Sequence, residues 1–535
     1  MHGDLKRPDV SSRSLLASAR IHPSAVSVFV IQLAVLLTLS IVQWHRYALS
    51  FDFGVYGQAI WLIGHGHLAP WDSLQGISFL RNNGELIIWP IGLVGALFGQ
   101  SPFVLLVIQD LAIALAGLVG LLWISEILDR YLDPGSFAHR WLWLAGLATV
   151  AVDPWCFQTA LFDFHNEALA GLFTLLAVRE LWRGGRCWPY VVSVIVICTT
   201  GTAGVLEAIG LGLSVLFAPK RQWRFALVVI AASTVWLAVL VIFGLAGQNG
   251  ANVTGNLGFG YLDPTSRHPS IAGLILGMFT HLPAIAHVVA PKITTALLLL
   301  LPVGLIGFIH RLAIGPALAV FGPAMLAHST LFFRPPAAYQ VWPVLLLVLA
   351  CSVELLARSG QPSNKVAMVS PVVLRYLPLH SWTPYATAAW VTGLASISST
   401  VLGSLPANWL AVTPAAATSI SQIASLIPPD AEVIATQGIV GRFATRHQVF
   451  GLMSTQEQFP IKARTVVFVL APLQGALEIE PGATETIIAW ARRLPGRDLL
   501  VSTPQVTAIS WTPPRGTSSI TIAGDRSSPK SSNAN

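Results

Sequence analysis

Two short segments of the chain combine acidic and aromatic residues at the edges of long apolar runs. The first is 50–58, with the sequence SFDFGVYGQ, where Asp52 follows the first apolar run. An ionisable residue at membrane depth is costly and tends to mark a functional site. A carboxylate here suits a general base or a metal ligand. The alternative interpretation is that Asp52 caps a short interfacial helix over residues 55–63.

The second segment places three ionisable residues, Asp163, His165 and Glu167, at alternate positions just before an apolar run. If the segment is extended, this spacing turns all three side chains to one side. They would then form an ion or phosphate site at the outer surface. The alternative is that Asp163 and Glu167 cap the following helix, because the helix dipole favours acids in the first turn. The histidine between two acids favours the functional interpretation.

Two arginines and a tyrosine are further candidates for substrate contact. Arg334 and Tyr339 lie in a segment predicted to face outward, and Arg81 precedes the apolar run 84–99. An arginine near the membrane surface suits a lipid phosphate. It could equally well be an interfacial arginine whose charged head reaches water.

Other polar residues leave more than one interpretation open. Asp110 and Glu207 lie inside apolar runs, where each either pairs with a neighbour or lines a cavity. The segment 441–447 is a compact basic patch that either holds an anionic group or is solvated surface. The four cysteines show neither a CxxC pair nor a metal-binding spacing, so they predict no disulfide framework.

Membrane spans are the elements that must position these residues. Of the 535 residues, 54% are hydrophobic and only 10% are charged, whereas a soluble protein carries about 25% charged residues. The mean hydropathy is +0.67. The net charge of +7 comes from Lys and Arg in short loops between apolar runs, which is typical of cytoplasmic loops. We therefore expect membrane lipids as partners and no nucleic acid.

The apolar runs predict an all-α polytopic membrane bundle of about eleven spans plus a half-span, because each span needs about 20 apolar residues. Strand-like and helix-like pieces after residue 404 predict a soluble α/β domain. The last dozen residues are rich in Ser, Asn and Lys, which is typical of disorder. The predicted divisions are a cytoplasmic tail 1–23, a transmembrane domain 24–404, an extracytoplasmic α/β domain 405–523 and a disordered tail 524–535.

Five loops carry Lys or Arg and are therefore predicted to be cytoplasmic. They are 130–140, 179–186, 220–224, 310–311 and 358–365. All five can be cytoplasmic only if the run 84–99 is a half-span or a re-entrant segment. The N-terminus is then cytoplasmic, and the first loop, the 158–165 turn and the C-terminal domain share the outer face of the plasma membrane.

The two acidic segments resemble the motifs of a family of bacterial multi-span membrane proteins that is defined as a domain of unknown function. Residues 51–61 resemble its opening motif, which runs Asp, an aliphatic or aromatic residue, Gly, two residues, and Gln-Ala-Leu/Ile-Trp. Residues 163–169 resemble its second motif, Asp-Phe-His-x-Glu. Looser similarity continues through 441–443 and 466–469, so that the resemblance covers about 45–510.

That family is thought to be allied to the GT-C glycosyltransferases, multi-span enzymes that use polyprenyl-phosphate sugars on the outer face. The resemblance implies a GT-C-like fold, a lipid-phosphate sugar donor, an envelope glycan, lipid or protein as acceptor, and Asp52 as the catalytic acid. Either of the two arginines would hold the donor phosphate, while the second acidic segment would shape the site or bind a divalent cation. The candidate substrate-binding residues are Arg81, Asp163, His165, Glu167, Arg334 and Tyr339.

This chain departs from the family pattern at three polar positions. A histidine motif is replaced by the sequence at 82–84, a Lys-Glu-Asp motif by 201–203, and a His-Tyr pair by 339–340. Two alternatives to a glycosyltransferase therefore stay open. One is a lipid or solute transporter or flippase that uses Asp110 and Glu207, and the other is a non-catalytic envelope scaffold.

Overall fold

The computed structural model describes residues 22–184, 187–217, 223–245, 258–264, 271–328, 338–359, 388–399, 412–453, 456–472 and 483–523. Residues 1–21 and 524–535, in the two predicted tails, lie outside these ranges, as does Arg334. Tyr339 lies in a described helix, but its side chain is outside the described part. The predicted domain boundary near residue 405 also falls outside it.

The first part of the chain is helical, apart from a short antiparallel pair formed by Trp71–Asp72 (β1) and Ile77–Ser78 (β2). The helices up to the second acidic segment are α1 (Pro23–His45), α2 (Phe51–Gly64), α3 (Leu80–Asn83), α4 (Ile88–Leu97), α5 (Phe103–Tyr131), α6 (Phe137–Val152) and α7 (Pro154–Leu161). The helices beyond it are α8 (Glu167–Arg183), α9 (Cys187–Thr199), α10 (Thr202–Leu216), α11 (Trp223–Ile242), α12 (Ile271–Thr280), α13 (Leu282–Leu300), α14 (Ile314–Leu326), α15 (Ala338–Ser359) and a helical segment at 388–399.

Five stretches of helix are long and apolar enough to cross a membrane. They are Pro23–His45, Phe103–Tyr131, Trp223–Ile242, Leu282–Val303 and Trp342–Ser359. Four apolar helices are shorter, and one of them, α4, has ten residues. Ten residues rise about 15 Å, which is about half the thickness of the hydrocarbon core. The chain is thus a multi-span membrane protein, while the number of about eleven spans stays a prediction.

The helices pack most closely where glycine allows two backbones to approach. Gly171 of α8 lies against Pro343 of α15, in a position where a Cβ would collide with the proline ring. A Cβ on Gly210 of α10 would lie 2.6 Å from the carbonyl oxygen of Gly315 in α14. Small residues at such crossings are typical of membrane bundles, because packing rather than water exclusion drives their helices together.

Ion pairs gather at one end of the bundle, where α5, α8 and α15 end. Glu126 contacts Arg179 and Arg183, and the Nε of Arg183 lies 2.9 Å from a carboxylate oxygen of Glu126. Glu354 is fully buried and forms an ion pair with Arg358. We call this region the basic end. It comprises Glu126, Arg130, Tyr131, Arg179, Arg183, His310, Arg311, Glu354 and Arg358.

The C-terminal region contains strands and helices, as predicted. Its elements are α16 (Pro414–Leu426), β3 (Glu432–Thr436), a 3₁₀ helix (Gln437–Phe443), β4 (Val449–Leu452), β5 (Gln456–Pro460), β6 (Val466–Leu470), α17 (Ala483–Ala491), β7 (Arg497–Ser502), β8 (Thr507–Trp511) and β9 (Ser519–Ala523). A five-stranded sheet has the order β4-β3-β6-β8-β7, and β5 pairs with β9 separately. Strand β3 is parallel to β4 and β6, whereas β8 is antiparallel to its neighbours.

The sheet has an apolar core on each face. Val433 and Ala435 of β3 pack in the core that includes α16, while Ile434 between them packs in the core that includes α17. This alternation follows from the two-residue period of a strand. All five residues of β3 and of β6 are buried, as expected for parallel strands covered on both faces.

Candidate functional site

Asp52 lies in the first turn of α2, and this placement corrects one prediction. The helix begins at Phe51 rather than at residue 55, and Ser50 occupies its N-cap position. Asp52 therefore does not cap the helix. Its carboxylate is free of the capping bond, and 44% of the side chain is exposed. A partly exposed carboxylate at this position can reach a substrate.

The carboxylate of Asp163 makes the capping contacts instead. It accepts hydrogen bonds from the backbone N–H of Ser50 at 3.0 Å and of Phe53 at 3.3 Å, and from the Ser50 hydroxyl. The first N–H groups of a helix have no partner within the helix, so an external carboxylate stabilises them. Burial and the nearby Asp52 raise the pKa of Asp163, while these hydrogen bonds oppose the shift. Asp163 thereby holds the helical turn that carries Asp52.

His165 lies beside Asp52, with its Nε2 atom 3.7 Å from a carboxylate oxygen. Burial lowers the pKa of His165 to about 4, so its imidazole is neutral at pH 7. The desolvating surroundings raise the pKa of Asp52 to about 6. The ring of His165 stacks on Phe162, with the ring centres 5.1 Å apart. The pair at neutral pH is therefore a carboxylate beside a neutral imidazole.

Gln109 of α5 fixes the loop that supplies these side chains. Its amide group donates to the backbone carbonyl of Asp163 at 2.8 Å and accepts from the backbone N–H of His165 at 2.7 Å. Gln109 is fully buried, where an amide must find partners of the right geometry. Gln109 was not predicted from the sequence. The available signal was an uncharged polar residue inside an apolar run, next to Asp110.

A second layer of acids lies behind Asp52. The hydroxyl of Tyr56 donates to the carboxylate of Glu85 at 3.0 Å, and both side chains are buried. Burial, followed by the charges of Glu85 and Glu167, raises the pKa of Tyr56 well above its ordinary value. Glu207 accepts a hydrogen bond from Thr174 at 2.8 Å, which favours pairing with a neighbour over exposure in a cavity.

We call this region of the molecule the acid end. It comprises Asp52, Glu85, Asp163, His165 and Glu167. In the part of the chain that the structure describes, Asp52, Asp163 and Glu167 form no ion pair with an arginine or a lysine. Glu167 opens α8, where the helix dipole stabilises a negative charge. Burial, followed by the charge of Glu85, nevertheless raises the pKa of Glu167 well above its ordinary value. The acid end is thus a cluster of acidic groups with raised pKa values.

The other candidates are not brought together with these acids. Arg81 is exposed, and one of its terminal nitrogens lies 3.6 Å from the position that a Cβ of Gly244 would occupy, just beyond α11. Over the described ranges, no three His, Cys, Asp or Glu side chains converge to hold a metal ion. The substrate-binding roles and the divalent cation stay predictions.

The C-terminal domain contacts the turn that carries Asp52. The N–H of Gly441 donates to the carbonyl of Leu49 at 3.0 Å, and a Cβ on Gly441 would lie 2.8 Å from the carbonyl oxygens of Leu49 and Ser50. The guanidinium of Arg442 lies 3.4 Å from the centre of the Trp44 ring and 4.8 Å from that of Tyr47. Arg442 is therefore neither solvated surface nor a free anion site, because its charge is stacked on aromatic rings.

Gln58, the glutamine of the first motif, joins three parts of the chain. Its side chain exchanges hydrogen bonds with Ser73, at 2.8 Å to the hydroxyl and 2.9 Å from the N–H. It also donates to the carbonyl of Arg446 at 3.0 Å. Ser73 in turn bonds both backbone groups of Val449, the first residue of β4. The motif glutamine therefore fixes the C-terminal domain and the first loop to α2.

Comparison with known proteins identifies a family and similar solved structures. The family described as "Predicted membrane protein (DUF2079)" matches residues 42–472, and no curated protein matches the chain. The chain is similar to ArnT from Cupriavidus metallidurans bound to undecaprenyl phosphate, with a TM-score of 0.44 and 15% identity over 90% of this chain and 97% of that chain. The apo state of ArnT gives a TM-score of 0.44 and 14% identity over 89% and 97%.

The matched range includes both acidic motifs, the helical bundle and the first strands of the C-terminal domain. It covers most of the 535 residues. The resemblance seen in the two motifs is thereby confirmed, and the chain belongs to the family described as "Predicted membrane protein (DUF2079)".

Proposed function

We propose that this protein is a GT-C-type glycosyltransferase that moves a sugar from a polyprenyl-phosphate donor to an acceptor of the cell envelope. The observation that carries this proposal is Asp52, a half-exposed carboxylate with a raised pKa of about 6. A general base works best when its pKa lies near the working pH. Asp52 is ionised at pH 7 and is a stronger base than an ordinary aspartate.

The proposed reaction is a single displacement at the anomeric carbon of the donor sugar. The Asp52 carboxylate accepts the proton of an acceptor hydroxyl, whose oxygen forms a bond to the anomeric carbon. The bond between that carbon and the phosphate oxygen breaks, and polyprenyl phosphate leaves with the electron pair. Asp163 keeps the carboxylate in place through the first turn of α2, because a misplaced catalytic group loses much of its effect.

The neutral imidazole of His165 supports this role of Asp52. A cationic histidine 3.7 Å away would stabilise the carboxylate and lower its pKa. Because burial keeps His165 neutral, Asp52 stays basic. Arg81 or Arg334 is the proposed contact for the donor phosphate, and Glu167 and Tyr339 are proposed to shape the substrate site, with or without a divalent cation.

The proposed orientation places the N-terminus in the cytoplasm and the acid end on the outer side of the plasma membrane. The acid end and the C-terminal domain lie at the same end of the bundle, because Gly441 bonds to Leu49 next to Asp52. The arginines of the basic end lie at the other end, since α8 begins at Glu167 and ends at Arg183. Basic residues collect on the cytoplasmic side of membrane proteins, which favours this orientation and about eleven spans.

The test is a transfer assay in membranes that contain the protein, with radiolabelled polyprenyl-phosphate sugars as donors. The variant is Asp52→Asn, and the matched control is Asp430→Asn, an exposed acid of the C-terminal domain. We expect the wild type and the control to incorporate label and Asp52→Asn to lose at least 100-fold, about the contribution of a general base.

The other outcomes separate the alternatives. Equal incorporation in wild type and Asp52→Asn would support the glycosyltransferase proposal but reject Asp52 as its general base. No incorporation with any donor, together with gradient-driven solute uptake into vesicles, would favour a transporter. Neither activity would favour an envelope scaffold.

A further inference from the structure

The basic end contains a buried carboxylate whose charge is fully matched. Glu354 accepts a hydrogen bond from the Tyr131 hydroxyl at 3.3 Å and contacts Arg358. The Nδ1 atom of His310 accepts from the backbone N–H of Leu312, so its proton lies on Nε2, 3.5 Å from Glu354. Arg358 also donates to the Tyr131 hydroxyl at 2.6 Å. Glu354 therefore pairs directly with Arg358 and acts at longer range on a second arginine.

Arg311 is such a second arginine. It is half-buried, and its enclosed Nε atom has no hydrogen-bond partner. Among the residues that the structure describes, Arg311 forms no ion pair or side-chain hydrogen bond. Burial and the neighbouring charge of Arg358 lower the pKa of Arg311, but an arginine stays charged in proteins. An unmatched, partly desolvated cation is costly unless an anion approaches it.

Arg130 adds further positive charge. Its guanidinium carbon lies 5.2 Å from the centre of the Trp182 ring and 5.8 Å from that of Tyr131, and Arg358 faces the same Tyr131 ring at 4.8 Å. Two guanidinium groups, those of Arg130 and Arg358, thus face the Tyr131 ring, and Glu354 is paired with Arg358.

Several segments outside the described part carry more basic than acidic residues. Residues 360–387 contain no Asp or Glu and add Lys365 and Arg375. Residues 185–186 and 218–222 also contain no acid. The N-terminal residues 1–21 carry four basic and two acidic residues, so they add positive charge in total. Because these segments add net positive charge, we expect an anion at Arg311 to come from outside the chain.

We propose that the basic end binds the phosphate group of an anionic phospholipid, with Arg311 as its main contact and Arg130 as its second. The guanidinium fork matches the geometry of a phosphate and forms strong charge-assisted hydrogen bonds with it. Tyr131 and Trp182 lie at the ends of α5 and α8, where aromatic rings typically mark the level of lipid headgroups. This location favours a lipid over a soluble anion. The site is separate from Asp52 and does not depend on the proposed reaction.

The test uses nanodiscs of phosphatidylcholine with a graded fraction of phosphatidylglycerol, and native mass spectrometry counts the phosphatidylglycerol that stays bound. We expect Arg311→Gln to need about five times more phosphatidylglycerol than the wild type for the same occupancy. This factor corresponds to about 1 kcal/mol for each basic residue at an anionic surface. Arg311→Lys keeps the charge but not the forked guanidinium group. The fraction of phosphatidylglycerol that it needs should lie between those of the wild type and Arg311→Gln. The control is Arg224→Gln, an exposed arginine at the start of α11.

Three results would overturn the proposal. In the first, Arg311→Gln retains as much phosphatidylglycerol as the wild type. In the second, Arg224→Gln loses as much as Arg311→Gln, which would mean diffuse attraction to the whole surface. In the third, inorganic phosphate raises the melting temperature in pure phosphatidylcholine discs through Arg311 and no phosphatidylglycerol is retained, which would assign the site to a free anion.

Discussion

The two ends of the helical bundle treat their buried acids in opposite ways. At the basic end, Glu126 and Glu354 are each matched by arginine, and the excess charge is positive. At the acid end, Asp163 is held by backbone N–H groups and a hydroxyl, and Asp52 faces a neutral histidine. The carboxylates of the basic end are held by fixed cations, whereas burial without a cation raises the pKa of Asp52 to about 6 and leaves it able to exchange a proton near neutral pH. The difference separates a structural ion pair from a candidate base.

Asp52→Asn should give the largest effect, a loss of activity without a loss of stability. We expect transfer to fall about 10²- to 10⁴-fold, the usual contribution of general-base catalysis. The melting temperature should stay the same or rise, because the variant removes a carboxylate that forms no ion pair with a cationic side chain in the described part of the chain. If the loss of activity is matched by a loss of folded protein, the claim that Asp52 acts in catalysis rather than in stability is contradicted.

Glu354→Gln should show the reverse behaviour at the other end. Breaking a buried ion pair leaves an unmatched charge and costs about 3–5 kcal/mol of stability. The midpoint of unfolding in detergent should therefore fall, with little effect on transfer by the protein that stays folded. Glu180→Gln is the matched control, because its partly exposed pair with Arg183 should contribute about 1 kcal/mol or less. If Glu354→Gln and Glu180→Gln lose equal amounts of stability, the buried ion pair of Glu354 does not stabilise the basic end more than an exposed one.

The pH dependence of transfer tests the protonation state of Asp52. Because its pKa is about 6, kcat/KM should fall about tenfold for each pH unit below 6. His165, with a pKa of about 4, stays neutral over this range and should not contribute. A midpoint near the ordinary aspartate value of 3.8 would contradict the structure. Asp52→Asn should abolish this decrease of kcat/KM at low pH.

The same pKa shift predicts how Asp52 affects folding. Folding raises the pKa of Asp52 from 3.8 to about 6, so the protonated form suits the folded state better. Its favourable contribution is fully present below pH 3.8 and is lost as pH rises through about 6. The difference in stability between the wild type and Asp52→Asn should therefore change with pH in this window, and thermal unfolding at graded pH measures it.

Asp163→Ala should lower the free energy of unfolding by about 1 kcal/mol, the contribution of a helix cap. Activity should fall more than stability, because the turn that carries Asp52 loses its anchor. Asp163→Asn keeps one acceptor oxygen and should retain more activity than Asp163→Ala. If both variants transfer sugar as fast as the wild type, Asp163 does not position Asp52.

Much of the architecture could be predicted from local sequence. Apolar runs of span length and the scarcity of charge predicted a polytopic helical membrane protein, and the alternating pieces after residue 404 predicted the strands that the C-terminal region contains. The two acidic motifs predicted the family. The start of α2 at Phe51 was missed, because Ser50 is capped by a side chain more than a hundred residues away.

The residues whose roles could not be predicted from the sequence are those whose partners are distant in the chain. The segment of Gly441 and Arg442 looked like a basic surface patch, but the glycine allows a close approach to Leu49 and the arginine stacks on Trp44. Gln109 was not singled out from the sequence, although it fixes the backbone of the second motif. No pattern of neighbouring residues in the sequence predicts either of these contacts.

The sequence by itself determined that this chain lies in a membrane and that its family is the one carrying the two acidic motifs. These properties follow from composition and short-range spacing, which set hydrophobicity and charge residue by residue. Only the tertiary structure decided that Asp163 holds α2 while Asp52 stays free beside a neutral His165. Hydrogen bonding and desolvation depend on which groups meet in space, and the chain's fold alone brings those groups together.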